Sequence, residues 1–466
     1  MPFRHSSRIA LVILFAGLSI VLLAGCGLQG PAPITAATAA VAVATAAPSR
    51  GSATEPPLAR PSAQASTTST IVDETADYRA LGYPDQRKIV RDSKGNLYIA
   101  YRKKDRARES GCYHIFVSRS TDNGASWSVV NGNAPIEQVD DCTQRVPAIA
   151  VDAQDNLHVV WYGKDAEHTG ENDRQIKYTR STDGGASWSD WINIAEVKGY
   201  ADQSLWQEHP AIYLAGSMIY VAWQGPDANS PNAPQIKLTR SINGGQTWEQ
   251  WRNISPRNRS NHSRPTIVGN RAGDQLYILA YGEVDSAQQL IWTNSTDGGN
   301  TWSAWATVTP IAADQRHVSA VIDSHDQLHA IWRQIDQNGL ARIEYASYAG
   351  HAWSDPVPLA PNSSAYQFFP SLAVTSDDTL WATWTESNGA AGAPEDDPEN
   401  GQIVYASKPP NGVWGARTSV PAASGTSIYA SLRWGQYNNG GNVDLIWLEE
   451  VDTNHWRIRH TTLGLW

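Results

Sequence analysis

The stretch RSTDGGASWS, Arg180 to Ser189, decides the fold because the chain repeats it. RSTDNGASWS begins at Arg119, RSINGGQTWE at Arg240 and NSTDGGNTWS at Asn294. A phrase recurring at long intervals marks an architecture built from one supersecondary unit. The residues upstream of each copy follow one grammar. In the second copy, RVPAIAVDAQDNLHVVW runs from Arg145 to Trp161, and QIKYTRS from Gln175 to Ser181 leads into the phrase. Apolar residues alternate with period two and are rich in β-branched and aromatic types, which specifies strands. DAQDN between them is a turn.

Seven such units can be counted. Their second strands close on Tyr101, Trp161, Trp223, Tyr281, Trp332, Trp384 and Trp447. Their third strands close on Ser120, Ser181, Ser241, Ser295, Ser347, Ser407 and then Thr461 or Thr462, with successive serines 61, 60, 54, 52 and 60 residues apart. Four short antiparallel strands cannot bury both faces alone, but units stacked radially can. The expected fold is therefore all-β, a β-propeller of four-stranded antiparallel blades, seven by the repeat count, with six as the alternative. The chain stops at Trp466, where the last outer strand should begin. An open edge invites aggregation, so residues near 71–83 are expected to supply that strand.

Within the phrase each residue has a structural task. Asp122, Asp183, Asn243 and Asp297 accept backbone N–H bonds and hold the turn between third and fourth strands. The glycines adopt a conformation costly for other residues. Trp127, Trp188, Trp248 and Trp302 bury a large ring between sheets. Ser-x-Asp-x-Gly-x-x-Trp resembles the Asp-box, or BNR repeat, of the sialidase superfamily. The resemblance covers residues 72–466 and implies that the boxes lie on the face opposite the ligand site.

The composition agrees. Of 466 residues, 20 are Trp and 18 Tyr, against 5 Phe and 2 Met, and the net charge is −10. Trp and Tyr favour strands, and mild acidity argues against a nucleic-acid partner. Residues 1–25 have Arg4 and Arg8 ahead of an apolar run. The run ends in Leu23-Ala24-Gly25-Cys26, which resembles a bacterial lipoprotein signal. The expectation is lipid attachment at Cys26 and an extracytoplasmic, membrane-anchored protein of the bacterial envelope. Residues 26–71, rich in Ala, Pro, Thr and Ser, read as a linker that cannot bury enough surface to fold. Cys112 and Cys142 suit a disulfide in an oxidising compartment, and two separate buried thiols are the alternative.

In a propeller, the loops between blades and between second and third strands share one face around a funnel. The residues opening the inner strands form a column there: Asp85, Arg145, Glu208, Ser263, Arg316, Phe368 and Ile428. Arg264 and Arg87 lie one and two places further on. Converging guanidiniums suit a carboxylate or sulfate, so Arg145, Arg316, Arg264 and Arg87 are the expected ligand-binding residues. Pairing of each with a local acid is the alternative reading.

The sialidase resemblance implies three arginines on a substrate carboxylate, a Tyr nucleophile with a carboxylate partner, and an Asp acid/base. Arg145-Val146-Pro147 is similar to that family's Arg-Ile-Pro, and Tyr429-Ala430-Ser431-Leu432 to its last inner strand. An enzyme of this type would use Tyr429, Asp173 and Glu208, with Asp165 a further candidate acid. Against this, RVPAI and YASLRW also match the chain's own repeat consensus, and sialidases have six blades. Three functions follow: a non-catalytic module binding a glycan or anionic ligand in the funnel, an exo-sialidase-type hydrolase, or a scaffold for surface proteins. A monomer is expected, with no cofactor. No metal spacing is present, and PEDDPEN (Pro394 to Asn400) is a possible but unsupported Ca²⁺ loop.

Overall fold

The repeats fold in chain order into seven antiparallel sheets, so the all-β propeller has seven blades and not six. The computed structural model describes residues 63–65, 68–75, 77–84, 86–104, 112–139, 143–170, 172–196, 205–256, 260–285, 287–309, 311, 313–388, 400–421, 425–433, 442–452 and 455–465. Residues 1–62, including Cys26, lie outside these, as do Asp85, Cys142 and residues 394–399. In blade 2, the strands Arg145–Val151, Leu157–Gly163, Gln175–Ser181 and Ile192–Ala195 lie side by side from the axis outward. Blade 1 runs from Ile89 to Val129, blade 3 from Glu208 to Asn253, blade 4 from His262 to Thr307, blade 5 from Gln315 to Pro358 and blade 6 from Tyr366 to Ser419.

Blade 7 has strands Ser427–Leu432, Val443–Asp452 and His455–Leu465. The N-terminal side of the chain completes it. Thr70–Thr75 pairs antiparallel with the last strand, from Thr70 opposite His460 to Thr75 opposite Trp456, and Ala63–Ala65 pairs with Leu463–Leu465. The closing strand is thus Thr70–Thr75, and the folded part begins before residue 72. Residues 77–84, included in the sequence-based range, instead cross to the axis.

Packing follows the aromatic column. Trp161, Trp223, Trp332, Trp384, Trp447 and Tyr101 are fully buried where the second strands end. Each such ring removes 150–250 Å² from water, about 4–6 kcal/mol as an upper bound. Tyr281 is the exception, half-buried with its ring 6.3 Å from His317.

The Asp-box turns behave as expected. Asp183 Oδ1 accepts from Ser181 Oγ at 2.8 Å and from Ser187 N at 2.9 Å, and Gly185 N donates to Ser181 Oγ at 2.9 Å. Asp122, Asn243 and Asp297 repeat the pattern. Hydrogen bonds from Ser126 hold the Asp122 carboxyl down at about 2. Gly245 has φ +83°, and a Cβ there would sit 1.8 Å from the Tyr178 hydroxyl, so only glycine fits. The box tryptophans staple each blade to the one before: Trp248 stands edge-on to Tyr178 at 5.0 Å, Trp127 to His460 at 5.2 Å and Trp414 to Tyr345 at 5.3 Å.

The same face carries a second latch. Ser93 N and Oγ both donate to Asp155 at 2.8 Å, and Ser324 N and Oγ donate to Asp378 at 2.8 and 2.6 Å. Lys94 lies beside Asp155 and His325 beside Asp378. The grouping of Asp323, His325 and Asp378 therefore belongs to this inter-blade latch, with His325 in the place that Lys94 holds beside Asp155.

Candidate functional site

The site begins with a backbone device. Inner strands of blades 2 to 7 carry a register shift two to three residues from their start. The residue in each bulge has positive φ: Val146 (47°), His209 (55°), Arg264 (48°), His317 (54°), Phe369 (51°) and Tyr429 (55°). Such a conformation costs about 1–3 kcal/mol at a non-glycine residue, most at a β-branched one. The bulges turn a ring of side chains toward the axis.

Tyr83 plugs that ring. Its phenol lies 5.5 Å from His209, 5.6 Å from His317 in a stacked pose, and 6.0 Å from both Phe369 and Tyr429. The Arg264 guanidinium sits 3.5 Å above it. Asp77, which starts this plug segment, is buried and grips Arg102 of blade 1 through both oxygens. Sequence reasoning missed the plug. Its signal was ALGYP, Ala80 to Pro84, an apolar cluster with Gly and Pro between two strands.

The structure places the expected residues as follows. Arg87 lies over the Tyr213 ring at 5.6 Å and donates to Ile267 O at 3.4 Å, and burial lowers its guanidinium to about 9. Arg316 is held bidentate by Asp314 at 2.8 and 3.1 Å. Arg264 donates to His317 Nδ1 at 3.0 Å besides covering Tyr83. Tyr429 is 1% exposed, and its ring packs against Phe369 at 4.6 Å. Asp173 accepts from Gln175 Nε2 at 3.1 Å. Asp165 is locked by Lys177, by His168 at 2.8 Å and by Asn193 at 3.0 Å. Glu208 accepts from Arg174 Nε at 2.6 Å. The Tyr83 plug lies beside Tyr429 of blade 7 and beside His209, the neighbour of Glu208 on blade 3.

What does converge is a corner of blades 1 to 3. Tyr162 stands opposite Arg145 in the blade 2 ladder. Burial, then the Glu208 charge, raises the Tyr162 hydroxyl well above the usual phenol range, against Arg145, Arg102 and Arg174. Arg102 is committed to Asp77, and Arg174 to Glu208. Arg145 has no hydrogen bond or ion pair among the described residues, and its Nε is shielded from water without a partner. His209 is held neutral by burial and by the charges of Arg264, Lys88, His317 and Arg174. Cations thus exceed carboxylates around this corner. Cys112, at its rim, is disulfide-bonded, and Tyr113 bridges to Thr143, which places Cys112 beside the chain that follows Cys142.

Sequence reasoning also missed a column of buried glutamines beside the arginine column. Gln144 Oε1 accepts from Trp161 Nε1 at 2.8 Å, and Gln207 Oε1 from Trp223 Nε1 at 2.7 Å. Gln315 and Gln367 instead accept backbone N–H groups of the preceding blade, Leu290 and Ile343. These bonds hold the inner-strand starts, and with them Arg145 and Glu208.

His262, at the start of blade 4, gives the face a pH dependence. Burial lowers its imidazole to about 4. The unfolded chain binds that proton near pH 6.5 while the folded chain does not, so stability falls as pH drops through the window from 6.5 to 4. The expected loss at pH 4 from this one group is about 3 kcal/mol. Urea unfolding at stepped pH should show it, and His262→Asn should flatten that part of the curve. Unchanged pH dependence in His262→Asn would refute the assignment.

No family model matches the chain. Over 256 residues it is 24% identical to the sialidase of Micromonospora viridifaciens, a match covering 48% of this chain and 39% of that protein. It therefore spans about two fifths of that curated relative. Among solved structures, an ulvan lyase described as a polysaccharide lyase superposes with TM-score 0.55 at 11% identity, covering 85% of this chain and 96% of that one. The α-L-arabinanase of Penicillium chrysogenum, solved with arabinobiose, gives TM-score 0.50 at 11% identity, covering 87% and 99%. At such identities these two likenesses concern the fold alone. The Asp-boxes, the seven-bladed ring and the weak similarity to the Micromonospora protein make this chain a sialidase-like β-propeller.

Proposed function

We propose that the protein binds an acidic saccharide at the corner of blades 1 to 3, through Arg145, without turning it over. The observation that carries this is the Arg145 guanidinium, uncommitted among the described residues, in a corner whose other two arginines are neutralised by Asp77 and Glu208. One free guanidinium can grip one carboxylate or sulfate bidentately. The saccharide class comes from the comparisons: proteins named as a sialidase, a polysaccharide lyase and an arabinanase share this architecture or part of its sequence. Against turnover stands the burial of both tyrosines: Tyr429 is 1% exposed and Tyr162 5% exposed, and a nucleophile must be reached by its substrate. The apolar leader ending in Cys26 adds the proposal that the propeller works from a lipid anchor at the cell envelope.

One observation favours a hydrolase as the second reading. Tyr162 lies within electrostatic reach of Glu208 and of three arginines, a set that suits an oxocarbenium-forming reaction. Incubation of the wild type and Tyr162→Phe with a fluorogenic sialoside separates the two. The binding reading expects no released fluorophore from either. Release by the wild type that Tyr162→Phe abolishes would replace it with the hydrolase.

A further inference from the structure

The junctions between blades are not all sealed alike. Three residues after the box Trp, blades 2, 3 and 4 carry a second one: Trp191, Trp251 and Trp305. Each closes the lateral groove against the preceding blade. Trp251 packs on the cluster that blades 2 and 3 share, and its Nε1 donates to Glu196 O at 3.1 Å. Trp305 packs on the blade 3 cluster, and its Nε1 donates to Ile254 O at 2.7 Å. In blade 6 the corresponding residue is Arg417, in Trp414-Gly415-Ala416-Arg417. Arg417 turns away to an ion pair with Glu386 of its own blade at 3.0 Å.

The junction of blades 5 and 6 consequently keeps an open groove of about 660 Å³, walled by Val357, Leu359, Ala360, Val413 and Trp414. Leu359 occupies the register of Ile254: each donates its N–H to the third strand of its own blade at 2.9 Å, to Ile343 O and Ile236 O respectively. Its carbonyl therefore stands where Ile254 O receives an indole. Val413 is 83% exposed and Val357 45% exposed, an apolar pair with no water-side cover.

We propose that this groove receives a tryptophan side chain of an acidic partner polypeptide, in the pose that Trp305 adopts at the junction of blades 3 and 4, with its indole N–H on Leu359 O. The chain itself supplies the template for what fits. The volume holds an indole together with the backbone that carries it. Lys408 on the rim favours acidic flanking residues, and partial burial of its ammonium, which lowers its pKa, adds to the gain from a nearby carboxylate. A second copy of the chain is a poor donor, because every described tryptophan is buried or half-buried within the propeller.

The test titrates the full chain with a labelled acidic peptide, Glu-Asp-Trp-Asp-Glu, and with the same peptide carrying Ala for Trp. Saturable binding at least tenfold tighter for the Trp peptide is expected. Arg417→Trp should fill the groove from within, raise the melting temperature and weaken the peptide at least tenfold. Val413→Asp, on an exposed wall that leaves folding untouched, should weaken it at least fivefold. Equal binding of the two peptides, or undiminished binding by both variants, would overturn the proposal. Sedimentation as a dimer that Arg417→Trp dissociates would overturn it too, by giving the groove to a second copy.

Discussion

A chain lacking residues 1–76 is expected to lose its cooperative fold, whereas one lacking only residues 1–61 keeps it. The last strand, His455–Leu465, would lose both of its outer partners and present an unpaired edge. The cut also removes buried Val72 from the core and Asp73 from Tyr101 Oη, to which it bonds at 2.5 Å, and from Lys103 Nζ at 2.7 Å. Thr70 Oγ1, which ties the closing strand to the blade 1 box through Gly124 O at 2.7 Å, goes as well. Backbone bonds at about 0.5–1.5 kcal/mol each, orphaned buried groups at about 1–3 and the apolar loss sum to well over 5 kcal/mol. The whole stability of a domain is about 5–15 kcal/mol. Circular dichroism melts and size exclusion of the two truncations check this. A sharp melt at unchanged temperature from the shorter chain would refute closure by this strand.

Asp444→Ala is expected to cost about 3–5 kcal/mol, the cost of stranding buried cations. Asp444 is 1% exposed and takes Arg91 at 3.0 Å, Arg433 at 2.6 Å and His460 at 3.2 Å. These contacts hold its carboxyl well below the usual range despite full burial. Removing it leaves Arg433, 4% exposed, without its counterion at the junction of blades 7 and 1. Asp314→Ala is the control. Its pair with Arg316 is about a third exposed and its approach to buried Arg333 is long, 3.7 Å, so a smaller change of about 1 kcal/mol is expected. Urea denaturation of both variants measures the difference, and equal midpoints would contradict the distinction between buried and exposed pairs.

The contrast between these two aspartates shows where sequence reading stopped. Period-two strands, box turns and the aromatic column are local signals, and they specified seven blades, the role of Asp183 and Trp248, and the need for closure near residue 71. Pairing is a property of the closed ring. Asp444 meets Arg91 across 353 residues, and Arg87 meets Ile267 across 180. In the sequence Arg145 and Arg102 look alike, yet among the described residues one is uncommitted and the other is fixed by Asp77. Likewise Tyr429 sits in a family-like phrase, but the plug ring of Tyr83, carried by a segment read as strand, covers it. The corner that does converge became visible only once blades 1 to 3 were placed side by side.

The most direct test of this account is titration of the wild type and Arg145→Ala with carboxylated and sulfated oligosaccharides and their neutral parents, with products followed in the same samples. The account predicts that the wild type binds acidic but not neutral sugars and leaves them intact. It predicts that Arg145→Ala, with an unchanged melt, binds at least tenfold more weakly, as loss of a charge-assisted contact of about 1.5–3 kcal/mol requires. Equal binding by Arg145→Ala, equal affinity for neutral sugars, or cleavage of the ligand would contradict it.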